Sequence, residues 1–183
     1  RLTQIVAALR ALAVVDSALV AISRVDFVAF TDLMLDSAVM FSGGERDGRP
    51  WVAFRSRAEQ RAAQSDGGFT ERGFNPQVLI AGPLATVWLP YDFYLDGAWS
   101  HCGVDAFTLL KTEEGWRIAT LVWSVEQPPA CAPHPEGPPS RWASWPRTRD
   151  PRRSARKSPT ASATASGSSL RSPSCRCSWA APC

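Results

Sequence analysis

Apolar residues recur at helical spacing across Leu2–Ser23, at Ile5, Leu9, Leu12, Val15, Leu19 and Ile22. Arg10 and Asp16 interrupt the run and its polar residues fall on one side, so it reads as an amphipathic helix rather than a signal or membrane segment. Asp26 is placed to cap a second helix through Phe27, Phe30 and Leu33. The pattern then shortens. Residues 38–42 read as a strand, Gly43-Gly44-Glu45-Arg46-Asp47-Gly48 as a turn-rich run, and residues 51–55 as a second strand. Ser56-Arg57-Ala58-Glu59 has the form of a capping box and starts a third helix ending near Gln64. From Phe69 onward β-branched and aromatic runs are broken by Gly82-Pro83, Asp96-Gly97 and residues 112–115. Four strands fit, at 71–80, Leu84–Leu95, 98–111 and 116–126, joined as an antiparallel meander. The expected class is α+β: helices first, then a curved antiparallel sheet.

Charge divides the chain. Residues 1–140 carry eleven Lys and Arg against sixteen Asp and Glu, whereas residues 141–183 carry nine against one. The first part is rich in Val, Leu, Ala, Phe and Trp, which suits one folded domain over residues 1–135. Its acidity argues against nucleic acid as a partner of the folded domain. Residues 136–183, dominated by Ser, Arg, Ala and Pro, have little to bury and are read as a disordered basic tail. Five cysteines at these spacings make neither a disulfide framework nor a zinc set. Folding back at Pro128-Pro129 would bring Cys131 to Cys102, and the sequence leaves open whether they bridge. The chain opens on Arg rather than Met, so an upstream targeting segment is left open; a cytoplasmic location is favoured, with no membrane partner.

The order of elements, with Leu84-Ala-Thr-Val-Trp-Leu-Pro-Tyr-Asp-Phe-Tyr-Leu-Asp-Gly, Ser100-His-Cys-Gly-Val-Asp-Ala-Phe and Gly115-Trp-Arg-Ile, resembles the nuclear-transport-factor-2-like superfamily over residues 10–135. Its SnoaL-like and ketosteroid-isomerase-like members are part of that resemblance. It implies an α+β cone whose sheet wraps an internal pocket and which commonly dimerises through the outer sheet face. Members bind small apolar ligands, isomerise steroids, cyclise polyketides or catalyse nothing.

Register sorts the candidates. A two-residue turn at Asp96-Gly97 pairs Tyr94 with Trp99, Asp92 with His101 and Trp88 with Asp105. A four-residue loop at 112–115 pairs Lys111 with Trp116, Asp105 with Val122 and His101 with Glu126. One face then gathers Trp88, Asp92, Tyr94, Trp99, His101, Asp105, Phe107, Ile118 and Glu126, and the other Leu89, Tyr91, Phe93, Cys102, Val104, Leu121, Trp123 and Val125. By the resemblance the first face turns inward. His101 between Asp92 and Glu126 suits proton transfer on a bound organic molecule, with a neighbouring carboxylate supporting the charged imidazole. A satisfied cross-strand pair is the competing reading. Asp105 in mid-sheet needs a partner, for which Arg55 or a backbone donor is a candidate.

The expected catalytic set is His101, Asp92 and Asp105, with Trp88, Tyr94, Trp99, Phe107, Glu126 and Arg55 shaping the ligand site. Neither a metal nor a cofactor is expected. The uniformly apolar face with Leu89, Phe93, Val104 and Trp123 is the expected homodimer surface. The function read from this is a domain binding a small apolar or aromatic ligand, with isomerase- or cyclase-type proton transfer as an open extension. The alternative is a non-catalytic dimeric interaction module.

Overall fold

The structure, a computed structural model, describes residues 2–135; the expectation of a disordered tail falls outside the described residues. Three helices precede and interleave with seven strands: α1 (Leu2–Ser23), α2 (Phe27–Asp32), β1 (Met34–Arg46), β2 (Arg49–Ser56), α3 (Arg57–Ala62), β3 (Phe69–Gly73), β4 (Gln77–Ala81), β5 (Leu84–Leu95), β6 (Ala98–Thr112) and β7 (Gly115–Val125). The caps form as the sequence predicts. The Asp26 side chain accepts from Ala29 N, and Ser56 and Glu59 close a reciprocal capping box at α3.

The sheet runs β2-β1-β7-β6-β5-β3, with β4 also on β5. It is mixed rather than wholly antiparallel, because β1 lies parallel to β7. That pairing joins segments some eighty residues apart and leaves no local signature. Other departures are local. The expected turn run at 43–48 shrinks to Asp47-Gly48, both at positive φ, and Gly43 and Gly44 stay in β1. Gly44 is there for close approach: a Cβ on it would come within 2.6 Å of Val125 O. The expected strand 71–80 breaks into β3 and β4 at Phe74-Asn75-Pro76, with Asn75 at φ 45°.

The helices cover one face of the curved sheet. Ala11, Val15, Ala18, Leu19 and Ile22 of α1 are buried, together with Phe30, Met40, Phe93, Phe107, Leu109, Ile118 and Leu121. Gly73 lets α1 approach: a Cβ there would fall 2.1 Å from Leu89 Cδ1 and 3.0 Å from Leu19 Cδ1. Helix α1 is also long and apolar enough to cross a membrane by length and composition. Its second half is nevertheless committed to this core, whereas Leu2, Ile5 and Leu9 of its first turns are exposed.

Candidate functional site

Two bulges decide which side chains share the inner face. Phe93 pairs with His101 and Tyr94 with Trp99, so Ser100 is an extra residue in β6; a second irregularity leaves Ala119 extra in β7. Each bulge shifts all later pairs by one. Asp92 therefore opposes Cys102, Trp88 opposes Ala106, and Asp105 opposes Leu89 and Trp123. The odd-numbered residues of β5 and β6 meet on the inner face: Leu89, Tyr91, Phe93, His101, Asp105 and Phe107.

Several expectations are corrected by this shift. Asp92 is on the opposite face from His101, where Arg72 binds it with both a 2.8 Å Nε bond and a second, Nη2 contact. Glu126 lies beside Cys102 on that outer side and is exposed. Tyr94 packs with Arg72, whose guanidinium lies 5.5 Å from its ring, and Trp99 opposes Tyr94. Trp88 is outer and 49% exposed. Arg55 does not reach Asp105; it donates to Gln60 Oε1 at 2.9 Å. Leu89 and Phe93 are core residues, 2% and 1% exposed, and cannot form a dimer surface. Of the expected site residues, His101, Asp105 and Phe107 do share one buried face.

That face contains a residue the sequence reading missed. Glu71 on β3 opposes Phe93, which turns its side chain inward, and its carboxyl hydrogen-bonds that of Asp105. Both are buried, at 8% and 1% exposure, and no cation is among the causes that set their ionisation. Burial pushes Glu71 up to about 7 and Asp105 well above the ordinary carboxyl value, with the neighbouring acid raising Asp105 further. Asp105 therefore keeps a proton and donates it to Glu71. Among the described residues no N–H or hydroxyl donor reaches its Oδ2. The only sequence clue was an acid among the alternating apolar positions of Phe69-Thr70-Glu71, legible as inward-facing once Phe69 is.

His101 stacks on Phe93 at 4.8 Å and meets Tyr91 edge-on at 5.8 Å. Its Nδ1 lies 3.0 Å from Ser100 Oγ. Removed from water and from Asp92, the imidazole is held down to about 4, the reverse of what a flanking carboxylate would do. Tyr91 donates to Ser124 O at 2.8 Å, and its ionisation is pushed up by burial and by Asp105, Glu71 and Glu126. The inner site is thus a neutral imidazole, a phenol and a proton-sharing carboxyl pair set among aromatic rings.

Helices over one face of a strongly curved sheet define the α+β cone of the nuclear-transport-factor-2-like class. The SnoaL-like domain family matches residues 11–128, and the chain belongs to that family. Solved structures similar to it include a nuclear-transport-factor-2-like protein with a cystatin-like fold from Novosphingobium aromaticivorans, at 15% identity, TM-score 0.56, covering 68% of this chain and 85% of that one. The beta subunit of a proposed aromatic-ring-hydroxylating dioxygenase from the same organism matches at 10% identity and TM-score 0.57, over 69% and 93% of the two chains. A proposed dehydratase from Streptomyces avermitilis matches at 18% identity and TM-score 0.51, over 66% and 96%. At these identities the likeness is one of fold. No curated protein matches the chain.

Proposed function

We propose that the domain binds a small apolar or aromatic molecule against the inner face, and that the Asp105–Glu71 pair moves a proton on it. The carrying observation is the buried acid pair, with no N–H or hydroxyl donor at Asp105 Oδ2. A neutral polar group buried without its full set of hydrogen bonds costs several kcal/mol, roughly 2–7 by transfer scales when none is made, and such a cost persists where the group has work to do. With one proton between them, the ionised member can take a proton from an activated carbon of the ligand while the protonated member donates to an adjacent oxygen; return of the proton to another ligand atom completes an isomerisation or cyclisation. His101 enters as a neutral hydrogen-bonding group, and Tyr91, Phe93 and Phe107 supply the aromatic wall. The test is a thermal-shift screen of cyclic ketones and aromatic ligands on wild type, Asp105→Asn and His101→Ala, followed by deuterium exchange into any bound ketone. Ligand binding by all three with exchange lost in Asp105→Asn is expected. Exchange unchanged in Asp105→Asn, or no ligand raising the melting temperature of wild type, overturns the reading.

A homodimer through the outer sheet face is the second reading, on a surface that keeps Val104 and Trp123 of the expected set and loses Leu89 and Phe93 to the core. A groove of about 360 Å³ there is lined by Phe41, Val52, Trp88, Val104, Ala106 and Val122, and Val52, Phe54 and Trp88 are 77%, 58% and 49% exposed. Contiguous apolar surface of this kind marks an interface. Light scattering at micromolar concentration is expected to give twice the chain mass for wild type and the single mass for Trp88→Glu/Val122→Glu. A monomeric wild type rules the dimer out.

A further inference from the structure

Past the end of β7 the chain makes a structure of its own. Glu126 and Cys102 exchange both backbone hydrogen bonds, at 2.7 and 3.1 Å. The chain then turns at Pro128-Pro129 and returns so that Cys131 is disulfide-bonded to Cys102, with a Cα–Cα distance of 6.2 Å. Three residues on, the His134 ring lies flat on Phe74, with centroids 3.7 Å apart and planes at 10°. The His134 backbone N–H donates to Asp92 Oδ2 at 3.1 Å. Beneath it, the Arg72 guanidinium sits 5.1 Å from the Phe74 ring and 5.5 Å from the Tyr94 ring, bound to the Asp92 carboxylate.

We propose that residues 127–135 are a redox latch whose His134 occupies a second binding recess, built on the outer face from Phe74, Asp92, Arg72 and Tyr94, and that reduction of Cys102–Cys131 vacates the recess for a planar N–H heteroaromatic ligand. The covalent bond is what seats the latch. Most of residues 127–135 are exposed, and their non-covalent contacts, among them the stacked His134 ring, its hydrogen bond to Asp92 and the Ala130–Gln127 turn bond, do not offset the ordering of so exposed a segment. The recess, by contrast, is held by β3, β5 and the residue after β3: Arg72 and Asp92 belong to paired strands and remain bound to each other when the latch leaves, and Phe74 N donates to Pro90 O of β5 at 2.8 Å. What it recognises is legible in its present occupant, a flat ring on Phe74 and an N–H directed at Asp92. A ligand such as imidazole carries both features in one molecule.

Opening follows thiol–disulfide exchange with a dithiol. Its thiolate attacks the more exposed sulfur, Cys131, giving a mixed disulfide and releasing Cys102; its second thiol then closes on the first. Two electrons and two protons pass in total, leaving two cysteine thiols and one oxidised dithiol. Disulfides persist in oxidising surroundings and open in reducing ones, so the recess reports on redox state.

The test uses the full chain in four forms, the first three being oxidised, reduced with dithiothreitol, and Cys131→Ser, which isolates this bond from Cys175, Cys177 and Cys183. Amide hydrogen exchange at His134 is expected to quicken at least tenfold in the second and third forms while β5 and β6 stay protected. Imidazole, titrated at slightly alkaline pH, is expected to shift Phe74 and Tyr94 resonances in those two forms and not in the oxidised protein. A fourth form, oxidised His134→Ala, keeps the disulfide and uncovers Phe74, and imidazole is expected to bind there as well. Equal His134 protection in oxidised and Cys131→Ser protein overturns the latch. Absence of imidazole shifts in both Cys131→Ser and His134→Ala overturns the recess.

Discussion

Arg72→Met is expected to lower the unfolding free energy by about 3–5 kcal/mol, because it leaves the Asp92 carboxylate buried without its cation. Asp92 is 1% exposed, the Arg72 side chain is 10% exposed, and the pair is bidentate. Breaking a buried pair by removing one partner costs far more than the pair contributes, since the remaining charge has lost both water and counter-ion. Arg72→Met/Asp92→Leu is therefore expected to recover most of the loss. Urea unfolding of the three proteins measures this. A single-mutant loss under about 1 kcal/mol, the usual range for exposed pairs, would show that Asp92 reaches water. The same experiment separates Asp92 from the inner site: His101 is on the other side of the sheet, so its titration is expected to be unchanged in Arg72→Met.

Stability is expected to fall as pH rises from about 5 to 8, a direction set by the buried acid pair. Unfolded Glu and Asp lose their protons near pH 4, whereas native Glu71 holds its own to about 7 and Asp105 holds its own higher still. Across that window the native state binds more protons than the unfolded chain, so raising the pH favours unfolding. His101 works against this. Its native value of about 4 lies below the unfolded value of about 6.5, so between those two pH values its contribution rises with pH. Two carboxyls outweigh one imidazole, and above about 6.5 the imidazole no longer opposes them. The decline is thus steepest between about 6.5 and 7, and above that Asp105 alone carries it. Asp105→Asn is expected to flatten the slope and to raise stability at pH 8 by about 1–3 kcal/mol. Melting temperatures of both proteins at half-unit pH steps decide it; parallel curves would mean that Asp105 ionises freely.

The sequence determined the elements and their local closures. Leu2–Ser23, the Asp26 cap, the Ser56–Glu59 capping box, the Asp96-Gly97 turn and the span Leu84–Leu95 all follow from spacing and turn chemistry. These signals are local, carried by residues within four positions of one another. Tertiary structure alone decided which side chains meet. Alternation along a strand fixes which residues share a face, but an extra residue at Ser100 and another at Ala119 invert the relation between neighbouring strands. Neither bulge has a glycine or proline to announce it, so Asp92 and Glu126 were placed with His101 and Leu89 and Phe93 on the outside. The parallel β1–β7 pair and the Glu71–Asp105 contact join residues far apart in the chain. Their pairing is selected by how the whole sheet curves around the helices, and no local pattern encodes it.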